Sequence, residues 1–258
     1  MMRTVAETTT PTVEGVDRAL RLLQELAQHG SGVTLSELAS STGLPKSSLH
    51  RTLGALQQRG FAMQRDDGHY LLGAETLRLA FEFHDRLDLR LLLRPALERL
   101  RASVNETVHV GVLDGASVVY VDKLESTRSL SLTSTIGGRN PAHATAVGKA
   151  LLAWTYPTEM AIVGWIDRYG PLVRRTPKTI VEPGGLAREL ARIRTEGFAK
   201  DLEESEPGVR CIAAAVFYGG ATPTAAISIS APRERLPHGA MSGAAALLIR
   251  ETSAVAGP

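Results

Sequence analysis

Residues 34–72, TLSELASSTGLPKSSLHRTLGALQQRGFAMQRDDGHYLL, limit what this 258-residue chain can fold into more than any other stretch. Thr34 followed by Glu37 predicts a capping box, so a helix starts there and carries Leu35, Leu38 and Ala39. Ser41-Thr42-Gly43 reads as a turn. Pro45 suits the first position of the next helix, where its missing N–H is not needed. Leu49, Leu53 and Leu56 recur at i, i+4 and i+7 as that helix's buried stripe. Its other face carries Lys46, Ser47, Ser48, His50, Arg51 and Gln58, and Gly60 predicts its end. Phe61 and Met63, then Tyr70 and Leu72, alternate around Asp67-Gly68, a dipeptide that favours hairpin turns. Upstream, Val16, Leu20, Leu23 and Ala27, with Ala19 and Leu26 filling in, predict an amphipathic helix ending near Gly30. Helix, helix, turn, helix, hairpin is the order of a winged helix-turn-helix.

Charge placement carries the functional argument here, because the net charge of +2 does not announce a nucleic-acid partner. Residues 1–72 hold Arg3, Arg18, Arg21, Lys46, Arg51, Arg59 and Arg65 against Glu7, Glu14, Asp17, Glu25, Glu37, Asp66 and Asp67. Between Glu37 and Asp66, however, there is no acidic residue, and Lys46, Arg51, Arg59 and Arg65 all fall inside. Such a surface is suited to a phosphate backbone. Ser47 and Ser48 are small enough to approach phosphates or base edges, and Lys46 and Arg51 neutralise phosphates or read guanine. His50 shares their face. The wing would lay Arg65 and His69 beside the flanking backbone or minor groove. A helical hairpin with a solvated polar face would give the same pattern.

The remaining chain reads as a second domain of α+β class. Glu75 to about Val104 is helical, with Leu77, Phe81 and His84 on one face, a break near Leu87–Asp88 and a bend at Pro95. Such a helix could dimerise or pack on its own domain. ETVHVGVL and SVVYVDKL alternate on either side of Asp114-Gly115 and predict a hairpin, with SLSLT as a further strand. Helices are expected at Ala144–Trp154 and Leu186–Thr195. FAKDLE, VRCIAAAVFY and TPTAAISISA read as strands, the last two joined near Gly219-Gly220. A closing helix is expected from Ala240 to Ala254. Hairpin-paired strands with inserted helices indicate an antiparallel sheet. The resulting division is a disordered tail over 1–14, the winged helix-turn-helix over 15–73, a linker helix over 74–90 and the second domain over 91–258.

Several chemistries can be weighed directly. His143-Ala-Thr-Ala-Val-Gly148-Lys149 resembles the end of a phosphate-binding loop, but His143 stands where a Walker loop needs glycine and Ala150 where it needs a hydroxyl, so nucleotide hydrolysis is rejected. A helix N-terminus there could still offer N–H groups to a carboxylate, or the loop could merely cap the helix. Cys211 with His143 or His109 invites a thiol-nucleophile reading, although a lone cysteine in CIAAAVF is more often a small buried hydrophobe. Asp201, Glu203, Glu204 and Glu206 read as a solvated strand edge, with Asp201 turned inward if Phe198 and Ala199 straddle the sheet. The seven histidines show no metal-ligand spacing, and neither catalytic residues, a metal nor a cofactor is expected. No apolar run reaches the roughly 18 residues of a bilayer span. MMRTVAETTTPTVEG lacks the apolar core of a signal peptide and reads as a disordered lead-in. With one cysteine and hence no internal disulfide, these features favour the cytoplasm.

Taken together, VDRALRLLQEL, the 34–61 segment, the wing ending YLLG, ETVHVGVLDGASVVYVDKLES, GGRNPAHATAVGKALLA, GFAKDLEES, GVRCIAAAVF and AAISISAP resemble, in order from Val16 to Pro232, the IclR family of bacterial transcription regulators. The resemblance implies a winged helix-turn-helix followed by a GAF-like effector-binding domain. It also implies homodimers, or dimers of dimers, on palindromic double-stranded operators. In relatives that bind small carboxylates such as glyoxylate or pyruvate, the ligand meets backbone N–H groups of the loop matching Ala146-Val147. It also meets side chains at positions matching Asp201, Cys211, Ser228 and Ser230. Ala146-Val147 is bulkier than the small pair of the glyoxylate-type loop, and other relatives take larger aromatic acids. The expectation is a transcriptional regulator controlled by a small organic acid. The rivals are a structural DNA-binding protein with a ligand-free second domain and a hydrolase using Cys211 and His143.

Overall fold

The computed structural model describes residues 13–85, 89–128 and 134–255, with no account of the side chains of residues 80–85. The chain divides into two compact units, residues 1–87 and 88–258. The break near Leu87–Asp88, the SLSLT strand, most of the N-terminal tail and the Phe81 and His84 side chains lie outside the described part.

In the first unit, α1 (Glu14–Gln28), α2 (Leu35–Thr42) and α3 (Lys46–Gln58) precede a hairpin of β1 (Ala62–Gln64) and β2 (Tyr70–Leu72), and α4 (Ala74–Asp85) follows. Thr34 and Glu37 form the expected reciprocal cap on α2. Pro45 is the cap of α3 rather than its first residue. The helix ends as its glycine requires: Gly60 has φ +74, its N–H donates to Gln57 O, and the N–H of Phe61 donates to Leu56 O. That left-handed ending is a Schellman motif, and it sets the phase of the strand after it. Ala62 and Tyr70 therefore face the core, and Met63 points outward at 49% exposure, one residue out of step with the expected alternation. The phase of α1 also differs from expectation. Leu22 and Leu26 are buried with Ala19 and Leu23 against them, whereas Val16 and Leu20 are more than half exposed. A bridge from Val33 to Tyr70 ties the α1–α2 connection to the wing.

Among the described residues, the second unit is a six-stranded antiparallel sheet in the order β5-β4-β3-β8-β7-β6. Its strands are β3 (Thr107–Asp114), β4 (Ser117–Leu124), β5 (Arg139–Pro141), β6 (Ala199–Leu202), β7 (Val209–Val216) and β8 (Ala225–Pro232). On one face lie α5 (Leu89–Val104) and α9 (His238–Ser253), packed on Val108, Val110, Ile212, Ile227 and Ile229. The second half of the expected linker helix thus packs on its own sheet. The other face is covered by α6 (Ala146–Thr155), α7 (Glu159–Tyr169) and α8 (Pro183–Glu196). Both α7 and the short β5 escaped the reading of the sequence.

The period of two in the strands sorts side chains between these faces. Ala199 and Asp201 of β6, Cys211 and Ala213 of β7, and Ala226, Ser228 and Ser230 of β8 share the α6 side. A bulge at Val110/Gly111 shifts the register so that Asp122 opposes Val110 and Tyr120 opposes Gly111. Tyr120 therefore stays on the α6 side. Asp122, 1% exposed, turns to the α5 side, where the Arg94 guanidinium lies 3.1 Å away.

Candidate functional site

On the first unit, α3 presents Lys46, Ser47, His50 and Arg51 to solvent. Ser48 does not join them. At 9% exposure it lies beside Leu49 on the packed side, because one step from a stripe residue is only about 100° around the helix. Lys46 Nζ donates to Ser36 Oγ across the turn at 2.9 Å. On the wing, Arg65 is held by the Asp67 carboxylate and donates to Ser31 O at 3.0 Å. This contact keeps the Asp67 carboxyl far below the usual carboxylate range, with the N–H of His69 helping. Arg51 makes no hydrogen bond or ion pair among the described residues, so its charge is unspent.

On the second unit, every position that the resemblance marked for a ligand lines one cavity of about 270 Å³: Ala146, Val147, Asp201, Cys211, Ser228 and Ser230. The residues arrive from β6, β7, β8 and the start of α6. Thr145 caps α6 by accepting from Gly148 N–H at 3.1 Å. The N–H groups of Ala146 and Val147, in the first turn, have no acceptor within the helix and lie at its positive end.

Glycine makes this approach possible. A side chain at Gly148 would meet Ala142 O at 2.1 Å, and one at Gly111 would meet Val118 and Val147 below 3 Å. Gly111 lets the start of α6 press onto the sheet, and Gly148 lets the Ala142 backbone close against α6. That packing explains the glycine of the AVGKA segment without any phosphate. Lys149, which a nucleotide loop would aim at phosphate, is fully buried and paired with Glu204 and Glu189.

Burial sets the protonation of the cavity wall. His109 is 3% exposed. Its Nε2 lies 2.8 Å from Ser134 Oγ, and its Nδ1 lies 3.5 Å from both Ser228 Oγ and Ser230 Oγ. Burial, aided by Lys123, pushes its pKa down to about 3, so the ring is neutral. Tyr120, stacked at 5.0 Å from His109, is pushed up to about 12 by burial and keeps its hydroxyl proton.

Asp201 is 2% exposed. Burial raises it to about 7 even though Lys149 and the N–H groups of Glu204 and Ser205 favour its charge. Near neutral pH its outer oxygen can therefore carry a proton and donate. Cys211 is likewise driven up by burial, the Asp201 charge adding to the effect. It remains a thiol, and His143 is bound to Val173 O at 3.0 Å instead of lining the cavity. A thiolate–imidazole pair is not assembled here.

Of the acidic cluster expected at a solvated edge, Glu203 and Glu204 are both 6% exposed. They are held by Lys178 and Lys149, and the hydroxyls of Thr176 and Thr179 donate to their carbonyls at 2.7 Å. Glu203 has φ +70, a left-handed backbone in a non-glycine residue. The 201–206 wall of the cavity is thus fixed from beneath. His109, Tyr120, Asn140 and Arg175 also line the cavity; of these the sequence singled out only His109, as a base for Cys211. For His109 the signal was available, since it sits opposite Ser228 in the β3–β8 register. For Arg175, in a loop, there was none.

Comparison with known proteins finds relatives that match both units. The family models described as "IclR helix-turn-helix domain" and "Bacterial transcriptional regulator IclR C-terminal" match residues 15–66 and 81–255. The transcriptional repressor IclR of Escherichia coli (strain K12) is 34% identical over 249 residues, which cover 95% of this chain and 90% of that protein. The acetate operon repressor of Salmonella typhimurium is 33% identical over 259 residues, covering 98% of this chain and 93% of its own. The crystal structure of the Thermotoga maritima IclR matches with a TM-score of 0.74 at 27% identity, over 95% of this chain and 98% of that one.

Proposed function

This chain belongs to the IclR family of bacterial transcriptional regulators, and on that premise we propose that a small organic acid bound in the C-terminal cavity controls its affinity for a palindromic operator. The protein is a DNA-binding regulator with an effector-binding domain, not an enzyme. The observation that supports an acid is the make-up of the cavity wall. The N–H groups of Ala146 and Val147, the hydroxyls of Ser228 and Ser230 and a protonatable Asp201 all offer donors. A carboxylate is the ligand such a set would hold. Cys211 contributes a neutral thiol to the same wall.

Lys46, Ser47, His50 and Arg51 of α3 meet the operator in this reading, with Arg65 and His69 on the wing beside the flanking backbone. Two copies, or a dimer of dimers, place two such heads on the two half-sites, and the acid changes the distribution between head arrangements. The protein works in the cytoplasm, where its operator is. Among the described residues, no helix is long and apolar enough to cross a membrane.

A thermal-shift screen of the full chain against two- to eight-carbon acids tests the effector site. A ligand at a hundred times its Kd adds about 2.7 kcal/mol to stability. At least one acid should raise the melting temperature, and Ser228→Val should remove the rise. If no acid shifts it, the organic-acid reading fails.

A further inference from the structure

The rim of the cavity carries a cation that the carboxylate site leaves unused. Arg175 lines the cavity from the connection between α7 and α8, and its side chain is exposed. Its backbone is fixed: its N–H donates to Thr179 Oγ1 at 3.0 Å. Thr179 and Thr176 are themselves buried and tied to the carbonyls of Glu203 and Glu204. Its guanidinium makes no hydrogen bond or ion pair among the described residues. The neighbouring Arg174, by contrast, donates to Pro177 O, and Lys178 pairs with Glu203. An unpaired guanidinium carried on a fixed backbone at a cavity wall is a waiting partner for an anion.

The cavity is therefore bipolar. Its inner pole is the set of Ala146 and Val147 N–H groups with Ser228 and Ser230, all at 5% exposure or less. Its outer pole is Arg175, exposed like Glu206 and Pro207 of the same lining. The cavity of about 270 Å³ lies at the small end of ligand sites, which run from roughly 300 to 1,000 Å³, and it has room for a five-carbon dicarboxylate. The wall between the poles mixes the polar groups of Ser134, Asn140 and His109 with apolar surface from Tyr120, Pro207 and Val209, enough to cover a carbon skeleton joining two anionic ends.

We propose that the effector is a small acid with a second anionic group, and that Arg175 selects it. One carboxylate lies on the α6 amides and the β8 hydroxyls, and the second takes the Arg175 guanidinium. This rests on the reading of the cavity as the effector site.

Titration calorimetry on the full chain with valerate, 5-hydroxyvalerate and glutarate decides it, because these share a carbon count and differ at the far end. Glutarate should bind about tenfold more tightly than valerate, the difference expected of one charge-assisted pair at a partly solvated rim. Arg175→Gln should collapse that ratio toward one, and Arg175→Lys should retain part of it. A wild-type ratio near one, 5-hydroxyvalerate matching glutarate, or a ratio that survives in Arg175→Gln would each overturn the assignment. If Ser228→Val abolishes binding of all the acids while Arg175→Gln leaves the ratio intact, the cavity stands and only the role of Arg175 falls. If wild type binds none of them while another acid raises the melting temperature, the second-anion assignment falls and the effector site stands.

Discussion

Asp201 shows how one residue can carry both stability and ligand chemistry. Its carboxyl is buried, accepts the N–H of Glu204 at 2.7 Å and has a pKa raised by burial from 3.8 to about 7. A raised carboxyl pKa means that the folded state holds a proton which the unfolded chain releases. Between about pH 4 and 7 the folded state binds more protons, so stability falls as pH rises through that window and levels off above it. Asp201→Asn keeps the acceptor for Glu204 and removes the ionisation. Chemical denaturation should show the variant more stable relative to wild type at pH 8 than at pH 5, by on the order of 2–4 kcal/mol for a shift of this size. An equal difference at both pH values would mean that Asp201 ionises normally. The inward turn of Asp201 was legible from alternation with Ala199. Its protonation was not, because that depends on Lys149 and on a loop folded over it. Ser48 erred in the opposite direction: residue type placed it on the recognition face, and helix geometry put it inside.

At the scale of elements, α6 is where the fold makes the site. Its N-terminus reaches the sheet at Gly111, and one turn in, Lys149 enters the protein with no exposure at all. There it meets Glu204, whose pKa burial raises and Lys149 opposes, and Glu189 at 3.6 Å. Lys149→Met would leave Glu204 buried without its cation, while Glu189 keeps Arg192, a loss of about 3–5 kcal/mol for a broken buried pair. Adding Glu204→Gln should recover part of it, as denaturant midpoints of the single and double variants would reveal. If Lys149→Met alone were neutral, Lys149 would not anchor the wall.

The elements themselves were largely readable: the α2 cap, the Asp114-Gly115 hairpin and the strands of the second domain all follow from local chemistry. Phases were less so. The α1 stripe is turned by one residue because Leu22, rather than Leu20, meets the core, and three closely spaced leucines allow either. β5, three residues containing a proline, carries no alternation to read. The Lys149–Glu204 pair spans 55 residues, a separation at which sequence patterns say nothing.

At the scale of the whole molecule, the chain is a DNA-reading head and a sensor with separate cores, and regulation requires that the two be energetically coupled. Coupling between sites is typically 1–3 kcal/mol and reciprocal: an acid that weakens operator binding fivefold must itself bind fivefold less tightly to the operator complex. The family resemblance was legible in the sequence because many short motifs recur in order. The convergence of the six marked residues on one cavity required the fold.

In the proposed regulation, occupancy of this cavity sets operator affinity. The direct measurement is fluorescence anisotropy of a labelled fragment from the protein's own promoter region, titrated with full-length protein with and without a saturating acid. The acid is the tightest binder from the calorimetric series. The prediction is a Kd shift of at least about fivefold in wild type, abolished in Ser228→Val. An operator Kd identical with and without saturating acid would contradict the account.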